Sequence, residues 1–291
     1  MNELTLHAPA KINLCLSVLG KRPDGYHEVE MLMQAVGLYD EVVVRLAGSG
    51  ITVTCDSAAV PDGAGNIAYR AAREMLDLSR RTSGIAVEIK KTIPVAAGLG
   101  GGSSDAAAVL VACNRLLGVR LSRERLAEIG TRLGMDVPFF LYGPTARARG
   151  RGEALTSLSP PPRFWVLLVN PGFETSTAWA YKNLNFGLTK KGDCTNIAGL
   201  NVGQIAASLH NDLETVTAAA HPAIGEMEQA LLKAGALGAR MSGSGPTVFG
   251  IFDAEAGCRE AVQRLQKKGW RLYPAETLTG PLYGDHLAPA F

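Results

Sequence analysis

Pro94-Val-Ala-Ala-Gly-Leu-Gly-Gly-Gly-Ser-Ser-Asp-Ala-Ala-Ala108 is the stretch that decides the fold of this chain. Its glycines, at 98, 100, 101 and 102, follow a strand-like segment over 85–91 and lead into an alanine-rich helical pattern over 103–117. Without Cβ atoms, glycines let backbone N–H groups approach a ligand closely. The N-terminus of the next helix adds unpaired donors and partial positive charge, and together these favour phosphate. Ser103 and Ser104 fall in the first helical turn, where a hydroxyl can reach a phosphate oxygen or a Mg²⁺ ion. The pattern is a triphosphate cradle of an unusual kind. A Walker A loop would need a lysine after Gly102, and a Rossmann turn would need alternating strands and helices. A mere flexible connector would carry the backbone entropy of these glycines for no return.

Working outward, strand patterns also occur at 4–7, 12–19, 41–46 and 51–55, and helical patterns at 66–78 and 123–133, with Gly134 as a C-terminal cap. Strands come first and helices after, which argues α+β. The run Ser-Pro-Pro-Pro-Arg near 158–163 breaks the pattern, and a buried strand signal restarts at 164–169. The predicted domains are therefore 1–158 and 164–291. The second half reads as helices at 177–183, 205–219, 223–234 and 255–267, strands at 247–252 and 272–274, and a polar loop over 187–203.

Composition narrows the function. The 291 residues include 33 glycines, about 11% against an average near 7%. Hydrophobic residues at 47% and charged residues at 19% exclude intrinsic disorder. A formal charge of +2 excludes a dedicated nucleic-acid binder. The cysteines at 15, 55, 113, 194 and 258 are odd in number and scattered, so neither a disulfide framework nor a zinc knuckle is readable. No apolar run reaches the ~18 residues of a membrane span, and no leader pattern opens the chain. The expectation is a soluble cytoplasmic protein with no membrane partner; a mature plastid form would read the same way.

Residues 94–107 resemble the second signature motif of the GHMP kinases, the superfamily of galactokinase, homoserine kinase, mevalonate kinase and phosphomevalonate kinase. Ala8-Pro-Ala-Lys-Ile-Asn-Leu14 resembles its N-terminal motif and Gly238-Ala-Arg-Met-Ser-Gly-Ser-Gly-Pro-Thr-Val-Phe-Gly250 its C-terminal one. The resemblance implies a two-domain fold, a ribosomal protein S-five domain-two-like ATP domain followed by a ferredoxin-like domain. Arg22-Pro-Asp-Gly-Tyr-His-Glu28 and Met135-Asp-Val-Pro-Phe-Phe140 are similar to the branch acting on a cytidine-diphosphate-linked methylerythritol. That branch implies transfer of the ATP γ-phosphoryl group to the 2-hydroxyl, in non-mevalonate isoprenoid synthesis. The alternatives are a homoserine- or mevalonate-type kinase, or a catalytically idle nucleotide-binding protein on the same scaffold.

Lys11 and Asn13 lie two apart on a strand, so their side chains share a face, which is costly beside apolar neighbours unless it serves a polar site. The resemblance makes Lys11 and Asp136 the catalytic pair; by itself, Asp136 before Val137-Pro138 also reads as a helix N-cap. As an orienting base it would take the proton of the attacking hydroxyl, while Lys11 stabilises charge on the transferred group. For ATP, the resemblance implies Pro94, Val95, Ala96, Ala97, Gly98, Leu99, Gly100, Gly101, Gly102, Ser103 and Ser104, bordered by Lys91 and Asn66, which by themselves read equally as a surface lysine and a helix N-cap. For the acceptor it implies Asn13, Tyr26 and His27 at a Pro-Asp-Gly turn, His27 reading the cytosine edge, with Tyr181 closing the other face and Thr177 on the same helix face. Ser242 to Gly245 form a second glycine turn, expected to face the first across the ATP cleft. Arg147, Arg149 and Arg151 alternate in a strand or loop; they could reach a phosphate, but the reading taken is a solvated charged face. Mg²⁺ is expected with ATP, though no dedicated carboxylate is evident for it.

Overall fold

A computed structural model of the chain describes residues 2–79, 82–186, 189, 194, 197 and 199–287. It opens with a long antiparallel hairpin of β1 (Glu3–Lys21) and β2 (His27–Ala47). The sequence predicts two short strands where β1 runs unbroken, and only the last third of β2. β1 is buried on both faces over 8–18 and β2 over 29–36, so the alternation that betrays a half-exposed strand is missing there. Pro9 is tolerated because the register shifts between Pro9 and Ala10.

β3 (Ile51–Cys55), α1 (Ile67–Ser79) and β4 (Gly84–Lys90) follow; β4 pairs antiparallel with residues 41–47 of β2, and β3 runs parallel to β4. Next come α2 (Gly101–Leu116), α3 (Arg123–Leu133) and α4 (Val137–Tyr142). Ala106 to Cys113 of α2 are buried on every side, as a helix apolar all round must be. Gly134 does end α3, but with extended backbone. β5 (Thr145–Arg149) pairs with residues 31–34 of β2, and β6 (Ala154–Ser157) pairs with β5. Residues 158–164 contain no helix or strand.

The second half contains β7 (Trp165–Asn170), α5 (Thr177–Lys182), α6 (Val202–Ala207), β8 (His210–Asn211), α7 (Asp212–Ala220), α8 (Ala223–Lys233), β9 (Gly238–Met241), β10 (Val248–Phe252), α9 (Glu255–Leu265) and β11 (Arg271–Glu276). Its sheet has the order β11-β7-β10-β9 with antiparallel neighbours, the arrangement of a ferredoxin-like unit. The single helix predicted over 205–219 is two helices. Between them β8 pairs parallel with β1 at Cys15 and Leu16, and the Asn211 side chain caps α7 by accepting from the Leu213 N–H at 3.0 Å. Most of the loop predicted over 187–203 lies outside the described residues, and 202–203 belong to α6.

The two halves share structure beyond β8. Val36 of β2 bridges to Thr277, and one apolar cluster includes Leu16, Met33 and Val109 together with Leu167, Val169 and Leu213. The cysteine reading is corrected: Cys15 and Cys194, 179 residues apart, form a disulfide with a Cα–Cα distance of 5.3 Å, while Cys55, Cys113 and Cys258 are free. Among the described residues no helix is long and apolar enough to cross a membrane.

Candidate active site

The glycine-rich stretch folds as a tight loop on the end of α2, which starts at Gly101, two residues earlier than predicted. Ala96, Gly98 and Gly100 all have positive φ, at 49°, 77° and 73°, so even the alanine is held in the left-handed region that L-residues disfavour. Gly98 is required on a second count, since a Cβ there would lie 2.0 Å from the Ser242 carbonyl oxygen. The Ser242 hydroxyl donates to the Gly98 carbonyl at 2.9 Å. The two glycine turns therefore interlock along one wall instead of facing each other across the cleft, which corrects the sequence reading.

That wall borders a cleft of about 1100 Å³, above the ~1,000 Å³ upper range of ordinary single-ligand pockets. Its lining includes Pro94 to Gly98, Gly100 to Ser103, Asn66, Lys91, Lys11, Asn13, Asp136, Tyr26, His27, Thr177 and Tyr181. Of the predicted residues, Leu99 and Ser104 do not line it. Leu99 is 1% exposed and packs in the core; its carbonyl accepts from the Lys11 N–H at 2.9 Å. Ser104 is fully buried in α2, turned away from the cleft. Along α2 the side of the helix that carries Ser104 packs into the core, while Ser103, one position earlier, borders the cleft.

Lys11 and Asn13 do share a face, with the Lys11 Nζ donating to the Asn13 Oδ1 at 2.5 Å. Lys11 is 4% exposed. Its Nζ lies 3.9 Å from the Asp136 Oδ2. Burial holds the Lys11 ammonium below its ordinary pKa, and the Asp136 carboxylate opposes that shift. Asp136 does stand at the N-cap position of α4, yet its side chain makes no capping hydrogen bond. The carboxylate is turned toward Lys11 and the cleft, so the cap reading accounts for its place in the chain but not for its orientation.

Tyr26 and His27 emerge from the β1–β2 turn as predicted. The His27 ring stacks on Tyr181 at 4.9 Å between centroids and on Phe186 at 5.8 Å. Phe186, 42% exposed, escapes a sequence reading because nothing around it is periodic. Arg151 departs from the solvated-face reading: it lines the cleft with its guanidinium 5.0 Å above the Tyr26 ring. Arg149 instead pairs with the buried Glu30 at 2.7 Å. Burial, reinforced by Lys21, keeps the His27 pKa below its usual value, which favours the neutral ring, able both to donate and to accept. Burial and the Asp136 charge push the Tyr181 phenol up. Thr177 shares a hydrogen bond with the Ser244 hydroxyl at 2.8 Å.

Lys91 is more constrained than a border residue. It ion-pairs with the buried Asp40, and with Asp105 at 2.9 Å. Asp40 also accepts from the N–H groups of Thr92 at 2.6 Å and Ile93 at 2.8 Å. Burial disfavours the Lys91 charge, but the two carboxylates prevail and hold its pKa up. Burial pushes the Asp105 carboxyl up to about 7, with Lys91 opposing and Asp40 reinforcing. Asn66 keeps both of its readings: its side chain accepts from the Ala68 N–H at 2.8 Å at the start of α1, and it lines the cleft.

A phosphate loop on a helix N-terminus, a buried lysine beside a carboxylate and an aromatic group in one cleft define a small-molecule kinase site. Residues 66–144 match the model of the GHMP kinases N terminal domain, and residues 196–269 match that of the GHMP kinases C terminal domain. The chain belongs to the GHMP kinase family of ATP-dependent small-molecule kinases, with its two-domain α+β fold. Within that family it is similar to 4-diphosphocytidyl-2-C-methyl-D-erythritol kinases. The one from Pelobacter propionicus is 50% identical over 282 residues, covering 96% of this chain and 100% of that one. The one from Geobacter sp. strain M21 is 53% identical, covering 93% and 97%. A crystal structure of 4-(cytidine 5'-diphospho)-2C-methyl-D-erythritol kinase aligns with a TM-score of 0.84 at 33% identity, covering 95% of this chain and 100% of that one.

Proposed function

We propose that the protein transfers the γ-phosphoryl group of ATP to the 2-hydroxyl of 4-diphosphocytidyl-2-C-methyl-D-erythritol, giving the 2-phosphate and ADP, in non-mevalonate isoprenoid precursor synthesis. The observation that carries the reading is one continuous cleft lined by both the phosphate loop and the His27 aromatic group, with Lys11 and Asp136 on it. A homoserine- or mevalonate-type acceptor has no base to engage His27, Tyr26 and Tyr181, so that group favours the cytidine-bearing acceptor.

In this reading Asp136 accepts the proton of the 2-hydroxyl as its oxygen attacks the γ-phosphorus. The bond to the β–γ bridging oxygen breaks and ADP leaves. Lys11, already dry, stabilises the negative charge on the transferring group without solvent rearrangement. Backbone N–H groups of the 98–102 loop hold the phosphates. His27, neutral, hydrogen-bonds the cytosine edge, and Thr177 contacts the methylerythritol phosphate.

Among the described residues no group of three or more His, Cys, Asp or Glu side chains could hold a metal. That fits Mg²⁺ carried by a nucleotide, which keeps several waters and needs only one or two protein oxygens beside phosphate. The Oδ1 of Asp105 is buried with no hydrogen-bond partner, and with the Ser103 hydroxyl it would hold the ion. When bound, Mg²⁺ supplies neutralisation of phosphate charge. The test is ADP release with 4-diphosphocytidyl-methylerythritol, homoserine and mevalonate as acceptors. Release only with the first is expected; equal or exclusive release with either of the others would overturn the reading.

A further inference from the structure

On the edge of β1 turned away from β2, the backbone donors alternate in their use. The Lys11 N–H goes to the Leu99 carbonyl at 2.9 Å, the Asn13 N–H goes to the Ser242 hydroxyl at 3.3 Å, and Cys15 pairs with β8. The two glycine turns thus occupy the strand edge directly behind the Lys11–Asn13 pair. Ser242 is fully buried, and its single hydroxyl accepts from β1 while donating to Gly98 of the phosphate loop. The turn it sits in is itself fixed, because the Asn211 side chain donates to the carbonyls of Met241 at 2.7 Å and Gly243 at 2.8 Å. Gly243 leaves the Lys11 head room: a Cβ there would lie 3.2 Å from the Lys11 Nζ and 3.3 Å from the Asn13 Oδ1.

We infer that Ser242 is a positioning residue of phosphoryl transfer: its hydroxyl sets the spacing between the strand that carries Lys11 and the loop that cradles the γ-phosphate. It touches neither substrate, and it acts by holding two separately folded segments in register with each other. The inference rests on the kinase reading above, since spacing between Lys11 and the phosphate loop matters only if a phosphoryl group passes between them. An ångström of slack in such a register lowers the chemical step by up to about 100-fold while leaving each ligand's own contacts in place.

The test compares Ser242→Ala with Thr247→Ala in the full chain. Thr247 is equally buried on the same turn, but its hydroxyl accepts from the Asn170 side chain at 3.0 Å and has no link to β1 or the phosphate loop. The expected result for Ser242→Ala is a kcat lowered roughly 10- to 100-fold, with KM for both substrates and ADP affinity near wild type. Thr247→Ala should keep kcat while losing comparable thermal stability. Unchanged turnover in Ser242→Ala, or equal losses of kcat and melting temperature in both variants, would overturn the inference.

A wild type that releases no ADP with the cytidine-bearing acceptor would sink the kinase reading instead, and the spacing that the Ser242 hydroxyl sets around Lys11 is then read separately, by ¹⁵N NMR of labelled lysine side chains. Among the described residues Asp136 is the charged group acting on Lys11. Slack admitting water to β1 should move the Lys11 titration in Ser242→Ala up toward the ordinary lysine value. An unmoved titration would contradict the inference.

Discussion

Lys11 and Asp136 lie 125 positions apart in the chain and 3.9 Å apart in space, and their roles separate in experiment. Asp136→Asn keeps the shape and removes the proton acceptor, so kcat should fall by roughly 100-fold or more with ATP affinity little changed; near wild-type turnover would remove Asp136 from the mechanism. Lys11 acts as the ammonium, and its burial lowers its pKa. Turnover should hold while Lys11 is protonated and fall as pH rises through that lowered value, so the alkaline limb of kcat should lie below the ordinary lysine range. A limb at or above that range would contradict the burial argument. The resemblance proposed both residues, and strand spacing by itself gave Lys11 only a polar face shared with Asn13. Asp136 could not be assigned from local pattern, because an N-cap and a base occupy the same place before a helix, and only the direction of the carboxylate distinguishes them.

At the level of elements, the phosphate loop is fastened at both ends by one buried ion triad. Asp40 on β2 holds the N–H groups at the loop's entry, Asp105 sits in the helix at its exit, and Lys91 joins the two carboxylates. Lys91→Met leaves two carboxylates buried without their cation, which should cost about 3 kcal/mol or more of stability in denaturant unfolding at neutral pH. A change within error would show that water already screens the triad. The loop and α2 were legible because glycines, hydroxyls and alanines are local signals. The clamp was not, since Lys91 reads as any charged residue at a strand end and Asp40 falls just before the 41–46 segment that reads as a strand, where a lone carboxylate carries no local signal of its partner. β8 was missed for a related reason: two residues of strand leave no pattern, and only pairing to β1 makes them one.

Over the whole molecule, the halves meet through β8 on β1, the Val36–Thr277 bridge, the interlocked glycine turns and an apolar cluster drawn from both. Calorimetry should therefore record one cooperative unfolding transition, and two resolved transitions would mean the halves unfold independently. The order of strands and helices made the α+β class readable, and the proline run falls in the break between β6 of one sheet and β7 of the other, although β8, further along the chain, returns to the first sheet. The coupling across that break was not readable, because the Cys15–Cys194 pair and the contact of Gly98 with Ser242 join residues far apart in the chain with no spacing rule between them. If one cleft brings ATP and a cytidine-diphosphate acceptor to the same lysine and carboxylate, ³¹P NMR of wild-type protein with ATP, Mg²⁺ and 4-diphosphocytidyl-methylerythritol will show a new phosphomonoester on the acceptor growing in step with ADP, with the diphosphate linkage to cytidine intact. An unchanged acceptor, whether ATP persists or decays to inorganic phosphate, would overturn that reading.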